Sequence, residues 1–268
     1  MLVLVAAGTV AVIVAARSGH RASAAQVLRS GVDRTLASST VRLRLDLQLS
    51  DGLGAFTHVT AQGSLDLVHD RVDSVVASGT TRAQVISDGH TVWTASNAPA
   101  FTAQLPSGVT WAVAAVAQLT AAGALHPPAD SLATLYLTRG AGPVHDDGPV
   151  TVNGIAVHRY SFPVDLHRAY CATASTERPA VQRAFHIDGP ATVTGQAWID
   201  DHGRAVKVLI TAAGTGNGLR LRSEEDLTGL DTPVQITPPP ANQTTPITPT
   251  LITALGADTS NQPPVNCS

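Results

Sequence analysis

Two hydrophobic periods divide the chain. Residues 23–38 place Val27, Leu28, Val32 and Leu36 at helical spacing, with Arg29, Asp33 and Arg34 on the other side, and predict one amphipathic helix. From residue 41 the period becomes two. Val41, Leu43, Leu45, Leu47 and Leu49 alternate with Arg42, Arg44, Asp46 and Gln48, which predicts a strand with one apolar and one charged face. After a turn at Asp51-Gly52 the alternation returns over residues 58–67: Val59, Ala61, Leu65 and Leu67 share one face, opposite His58, Thr60, Gln62, Ser64 and Asp66. Shorter strands follow at 72–78, 81–87 and 90–95, separated by Ser78-Gly79 and Asp88-Gly89. Strands this close, joined by glycine turns, predict an antiparallel meander with one wet face and one covered face.

The next segments predict the cover. Residues 108–122 are almost uncharged and read as a helix carrying Trp111, Val113, Val116 and Leu119. Pro127-Pro128 breaks the chain. Asp130 or Ser131 then caps a second helix with Leu132, Leu135, Tyr136 and Leu137. Both are too apolar to be solvated all round, so they pack on the sheet or line an apolar interior. After residue 140 strands resume. Residues 144–148 form a turn-rich edge, and residues 150–162 make two strands about Asn153-Gly154. A short helix is predicted over 176–184. Residues 192–199 and 205–212 flank Asp200-Asp201-His202-Gly203, and residues 219–227 make a last strand. This order defines an α+β fold: a curved antiparallel half-barrel sheet with helices packed on its concave face. Eight of the 17 prolines fall after residue 230, so residues 231–268 read as an extended Pro/Thr-rich tail.

Composition narrows the function. The chain has 268 residues, a net charge of −3 and 14% charged residues, which exclude a disordered polyelectrolyte and a nucleic-acid footprint. Aromatics make up 4%, so the core is built from Val, Leu, Ile and Ala. Met1 to Ala16 carry no charge, and Ala22-Ser23-Ala24 has the small-x-small spelling of a signal-peptidase site. As a helix the run spans roughly 24 Å, short of the ~30 Å hydrocarbon core. Residues 1–24 are therefore expected to be a cleaved export signal or an uncleaved anchor; Arg17 and Arg21 after the apolar run leave both open. In an oxidising compartment Cys171 and Cys267 can pair and pin the tail to the body; the alternative is two unpaired thiols. His145-Asp146-Asp147 and Asp200-Asp201-His202 have the composition of ligand clusters but sit beside glycine in hairpin turns, where Asp and His serve the turn. With no nucleophile, metal or phosphate motif in a fitting context, neither enzyme chemistry nor a metal nor a cofactor is expected.

Several segments carry a resemblance in their order and spacing. They are Ser39-Thr40-Val41-Arg42-Leu43 after the first helix, Gly63-Ser64-Leu65-Asp66-Leu67, and Ile86-Ser87-Asp88-Gly89-His90-Thr91-Val92-Trp93. Val152-Asn153-Gly154-Ile155-Ala156-Val157-His158-Arg159-Tyr160 and Ala197-Trp198-Ile199-Asp200-Asp201-His202-Gly203-Arg204 follow. Over roughly residues 24–237 the chain resembles the mycobacterial LppX/LprA/LprF/LprG lipoproteins, relatives in fold of the carrier LolA. The resemblance implies a half-barrel closed by helices around a hydrophobic cavity that takes an acylated lipid or glycolipid in the cell envelope. The chain departs from the family in having no lipobox cysteine between Arg17 and Ala25, so no acyl anchor forms there. The expected cavity lining is Leu43, Leu45, Leu47, Val59, Leu65, Val76, Val85, Trp93, Trp111, Val116, Leu119, Leu132 and Leu135. Residues 25–230 are thus expected to be an exported, monomeric, non-catalytic lipid carrier. The alternative is an envelope sensor or protein-interaction module on the same fold, using the outer sheet face or the tail.

Overall fold

In the computed structural model, Ser23 caps helix α1 (Ala24–Leu36): the Gln26 N–H donates to Ser23 Oγ at 3.3 Å while the Ser23 N–H donates to Gln26 Oε1 at 2.8 Å. The structure describes residues 22–50, 55–121, 129–184, 191–214, 220–254 and 267; the apolar run 1–21 lies outside them. Five antiparallel strands follow: β1 (Thr40–Ser50), β2 (Phe56–Asp66), β3 (Arg71–Ser78), β4 (Thr81–Ser87) and β5 (Thr91–Ser96). Their period-two patterning and Gly79 and Gly89 at positive φ match the predicted meander.

The next segment corrects the sequence reading. After the short helix α2 (Pro99–Thr102), residues 111–115 form strand β6 (Trp111–Ala115), and only Val116–Ala121 is helical (α3). β6 is held on both sides, antiparallel to β5 and parallel to β12 (Thr244–Pro246) of the tail. Two ladders of backbone hydrogen bonds outweigh the weak helical preference of Trp-Ala-Val-Ala-Ala. Helix α4 (Ala133–Leu137) lies between 3-10 turns at Ala129–Leu132 and Thr138–Gly140.

The second half supplies β7 (His145–Val152), β8 (Ile155–Pro163), α5 (Leu166–Ala172), α6 (Arg178–Ala184), β9 (Ala191–Asp200), β10 (Ala205–Gly214) and β11 (Arg220–Thr228). Asn153 and Gly154 both have positive φ, 51° and 78°, the conformation of the primed turn that Asn-Gly encodes. Helix α5 is not apparent from periodicity; Asp165 caps it by accepting from the Arg168 N–H at 2.9 Å. The tail ends its described run in α7 (Pro249–Ala254).

Among the described residues twelve strands form one open, curved sheet in the order β12-β6-β5-β4-β3-β2-β1-β11-β10-β9-β8-β7. Among these described strands only the β12–β6 pair is parallel. The two meanders join through β1 and β11, whose register runs from Arg42 opposite Thr228 to Ser50 opposite Arg220. Residues paired across an antiparallel ladder share a face, so the register assigns every strand residue. The outer face carries charge: Lys207 pairs with Glu224 and Asp226 while Arg222 also reaches Glu224. The inner face meets the helices in two separate cores. The larger packs α1, α4, α5 and α6 against the starts of β1 and β3, the end of β2, and β8–β11. The smaller gathers Val92, Phe101, Ala112, Ala114, Leu119, Ile247 and Leu251, so the tail contributes both a strand and core side chains. At Gly195 the bare Cα lets the buried Phe162 ring lie against β9: a Cβ there would sit 2.2 Å from the ring. The Cys171–Cys267 bridge is formed, with Cα atoms 5.4 Å apart, and ties the tail to α5.

Candidate functional site

Register brings seven of the predicted lining residues onto one continuous inner wall. Leu43, Leu45 and Leu47 on β1 face the same side as Val59 and Leu65 on β2, Val76 on β3 and Val85 on β4. Their burial is graded along the strands. At the end beneath α1 and α4, Leu43 and Leu65 are 5% and 0% exposed, beside Val41 and Val72 at 0% and 1%. Further along the same strands Leu45, Leu47, Val59, Val76 and Val85 are half-buried, as are Ala61 and Ala83 between them. The wall is therefore packed at one end and an apolar strip at the other.

Four of the remaining predicted residues lie on the helical side. Leu132 and Leu135 are fully packed in the larger core, and Leu119 is buried in the smaller one with Val116 at its edge. The two tryptophans are corrected. Trp93 pairs with Ile86 and Val113, and Trp111 lies two residues from Val113, so both occupy the outer face. Val92 and Thr94 take the inner positions of β5, at 1% and 2% exposure. The expectation followed hydrophobicity where strand parity decides.

A cavity of about 380 Å³ opens between the two cores. It lies where the β2–β3 and β4–β5 turns and the end of β6 meet the helices. Leu36, Leu67, Val116 and Leu132 supply apolar walls; Tyr136, Arg139 and Glu177 supply the polar side. Arg139 lies over the Tyr136 ring at 5.4 Å and 3.8 Å from the Glu177 carboxylate. Burial, reinforced by the Glu177 charge, pushes the Tyr136 hydroxyl well above its usual range, so it stays a neutral hydrogen-bonding group. The volume falls in the range of small-ligand sites, ~300–1,000 Å³.

Glu225 is a residue the sequence reading passed over. On β11, Leu221, Ser223, Glu225 and Leu227 share the inner face, so strict alternation signals an inward acid. It is fully buried, and its Oε2 accepts from the Leu135 N–H at 3.2 Å. Beside it the Thr134 and Ser223 hydroxyls share a 2.8 Å hydrogen bond. Burial raises the carboxyl to about 8, against the opposing hydrogen bonds from Leu135 and Thr134. Oε1 has no partner.

Of the two acid-histidine runs, Asp200-Asp201-His202 leads into a turn as expected, whereas His145-Asp146-Asp147 opens strand β7 at a bulge, because its backbone pairs with Tyr160 and Ser161 of β8. Asp200, Asp201 and His202 place ligand-type atoms within 4.8 Å of one another. The Asp200 carboxylate accepts from the Arg204 backbone at 2.8 Å and from its guanidinium at 3.2 Å, while His202 Nδ1 lies 2.6 Å from Asp201. Asp147 is engaged by Arg159 and Ser161, and Asp146 accepts from the Gly148 N–H. None of these groups meets the cavity. No described helix is long and apolar enough to cross a membrane.

The class defined by these features is an open antiparallel half-barrel whose inner face is filled by helices and retains an apolar strip and a cavity. Among solved structures, the chain is similar to the lipoprotein LppX of Mycobacterium tuberculosis, at 12% identity over 80% of this chain and 98% of that one, with a TM-score of 0.48. It is similar to LprF from Mycobacterium bovis at 12% identity, over 81% of this chain and 96% of that one, with a TM-score of 0.47. A LolA superfamily protein from Nitrosomonas europaea matches at 8% identity over 79% and 96% of the two chains, with a TM-score of 0.32. No family model and no curated protein matches the chain.

Proposed function

We propose that the chain is an exported, non-catalytic carrier that binds an acylated lipid or glycolipid between its sheet and its helices, for handling in the cell envelope. The observation that carries this reading is the split core. Leu45, Leu47, Val59, Val76 and Val85 form an apolar strip left half-buried between two packed clusters. At the other end of the same strands, beyond the packed row of Val41, Leu65 and Val72, the 380 Å³ cavity lies between the same two clusters, with Val116 on one side and Leu132 on the other.

The energetics favour a hydrocarbon guest. Each buried CH₂ contributes about 0.8 kcal/mol, so a sixteen-carbon chain offers on the order of 13 kcal/mol of gross transfer energy before association and ordering costs. Such a guest needs no charge on the wall, and the strip has none. Tyr136, Arg139 and Glu177 at the cavity suit a polar head left near water. The N-terminal apolar segment would direct export or anchor the chain.

The test is native mass spectrometry and solvent extraction of the purified full chain. Acyl lipid should co-purify at near-stoichiometric ratio, and Val76→Trp, which fills the strip, should lose it while folding normally. A lipid-free protein that also takes up no added fatty acid or phospholipid would overturn the reading.

A further inference from the structure

We propose that the end of the sheet opposite the cavity is a docking surface for an anionic lipid bilayer, centred on Phe56, Arg220 and Arg82. Phe56 is 64% exposed, on the outer face of β2 at its first residue. Its cross-strand neighbour is Ser50, whose partner on the other side is Arg220. The ring and the guanidinium thus share one row, two strand spacings or about 10 Å apart. The next row holds His58, Gln48 and Arg222. Shallow depressions flank Phe56 on both sides, one of about 500 Å³ containing Arg220 and Arg222, the other of about 610 Å³ containing Arg82. The ring stands as a ridge between two basic hollows.

Charge complementarity selects the occupant. Acids on this face are already engaged: Asp46 pairs with His58 at 2.9 Å, and Glu224 pairs with Lys207 and Arg222. Arg220 and Arg82 are exposed, and among the described residues neither joins an ion pair. The opposite end of the same strands is mixed: Asp70, Asp88, Asp201 and Asp231 stand there with exposed Arg42 and Arg71, and Arg204 is held by Asp200. Phe56, the most exposed aromatic side chain among the described residues, thus stands between two arginines free of ion pairs. An aromatic ring flanked by free arginines fits the headgroup boundary of an anionic bilayer, where the ring enters the interface and the cations meet lipid phosphates. Thr194 and Thr211, hydrogen-bonded to each other at 2.7 Å in the 500 Å³ hollow, add hydroxyls of the kind headgroups accept.

This inference stands apart from the cargo, since it concerns the outer face. The test is hydrogen–deuterium exchange of the full chain with vesicles of phosphatidylglycerol or of phosphatidylcholine. Peptides covering residues 56–60 and 220–223 should slow in phosphatidylglycerol, recover as salt is raised, and remain unchanged in phosphatidylcholine. Peptides containing Val68 and Ile155, exposed apolar residues at the other end, should not respond. Arg220→Glu, and separately Arg82→Gln, should raise the lipid concentration for half-protection by about five-fold or more. Equal protection in both lipids, protection at Val68 instead, or indifference to Arg220→Glu would overturn the proposal. Protection that appears without lipid as protein concentration rises would overturn it in favour of a second copy of the chain. Cargo retention, read by mass spectrometry on the same variants, fails or survives independently.

Discussion

The backbone N–H of Leu135 donates to Oε2 of Glu225 across 3.2 Å, joining helix α4 to a strand in the middle of the sheet. The carboxyl is raised to about 8 by burial, from the 4.5 of an exposed glutamate. The folded protein therefore holds a proton here that the unfolded chain releases. Between about pH 4.5 and about pH 8 the folded state binds more protons, so this group's contribution to stability is full in acid and lost as pH rises through about 8. Denaturant unfolding across this window should show a falling component, and Glu225→Gln should flatten it. A wild type whose stability rises steadily over the same range, with no difference in the variant, would contradict this origin.

The apolar strip and the packed end should respond differently to truncation. Leu65 is fully buried, and Leu65→Ala should cost about 2–5 kcal/mol through transfer and cavity terms. Leu47, half-buried on the same wall, should lose about 1 kcal/mol or less on conversion to Ala. The order reverses for cargo: Leu47→Ala should weaken lipid retention in the extraction assay more than a substitution elsewhere of equal stability cost.

Gly195 and Phe162 should be coupled. Gly195→Ala sets a methyl 2.2 Å from the Phe162 ring and should lower the melting temperature by several degrees. Phe162→Leu alone also destabilises, because that ring is 3% exposed. The double variant should be more stable than the sum of the two losses, a positive coupling measurable by a thermal double-mutant cycle. Additive losses would mean the two residues do not share the space.

The Cys171–Cys267 bridge spans 96 residues, for which chain entropy predicts about 4–5 kcal/mol. Cys171→Ser and Cys267→Ser should destabilise equally, and the double variant should be no worse than either single one. Intact mass with and without reductant, after alkylation, should show no free thiol in the native protein and two in the reduced.

How much was legible depends on whether a pattern was local. The alternation over residues 41–49 and 58–67, the Asn153-Gly154 turn and the capped first helix are all encoded within a few residues, and the structure has them at those places. Residues 111–115 read locally as helix, yet their strand is stabilised by β5 and by Thr244–Pro246 of the tail, the latter more than a hundred residues away. Hydrophobicity alone points Trp93 and Trp111 inward, while the register of β4, β5 and β6 turns them outward. Glu225 was readable from parity, yet its unusual proton affinity comes from α4 closing over it.

The sequence by itself determined where the chain alternates, turns and caps, because those preferences are set by each residue's own sterics and by neighbours one turn or one pleat away. It also supplied the apolar face that has to be covered. Only the tertiary structure decided that β1 lies beside β11, that the tail becomes a strand, and that two cores form with an apolar strip and a cavity between them. Those outcomes depend on how distant segments fill or fail to fill a shared volume, and packing of that kind has no signature in any single stretch of chain.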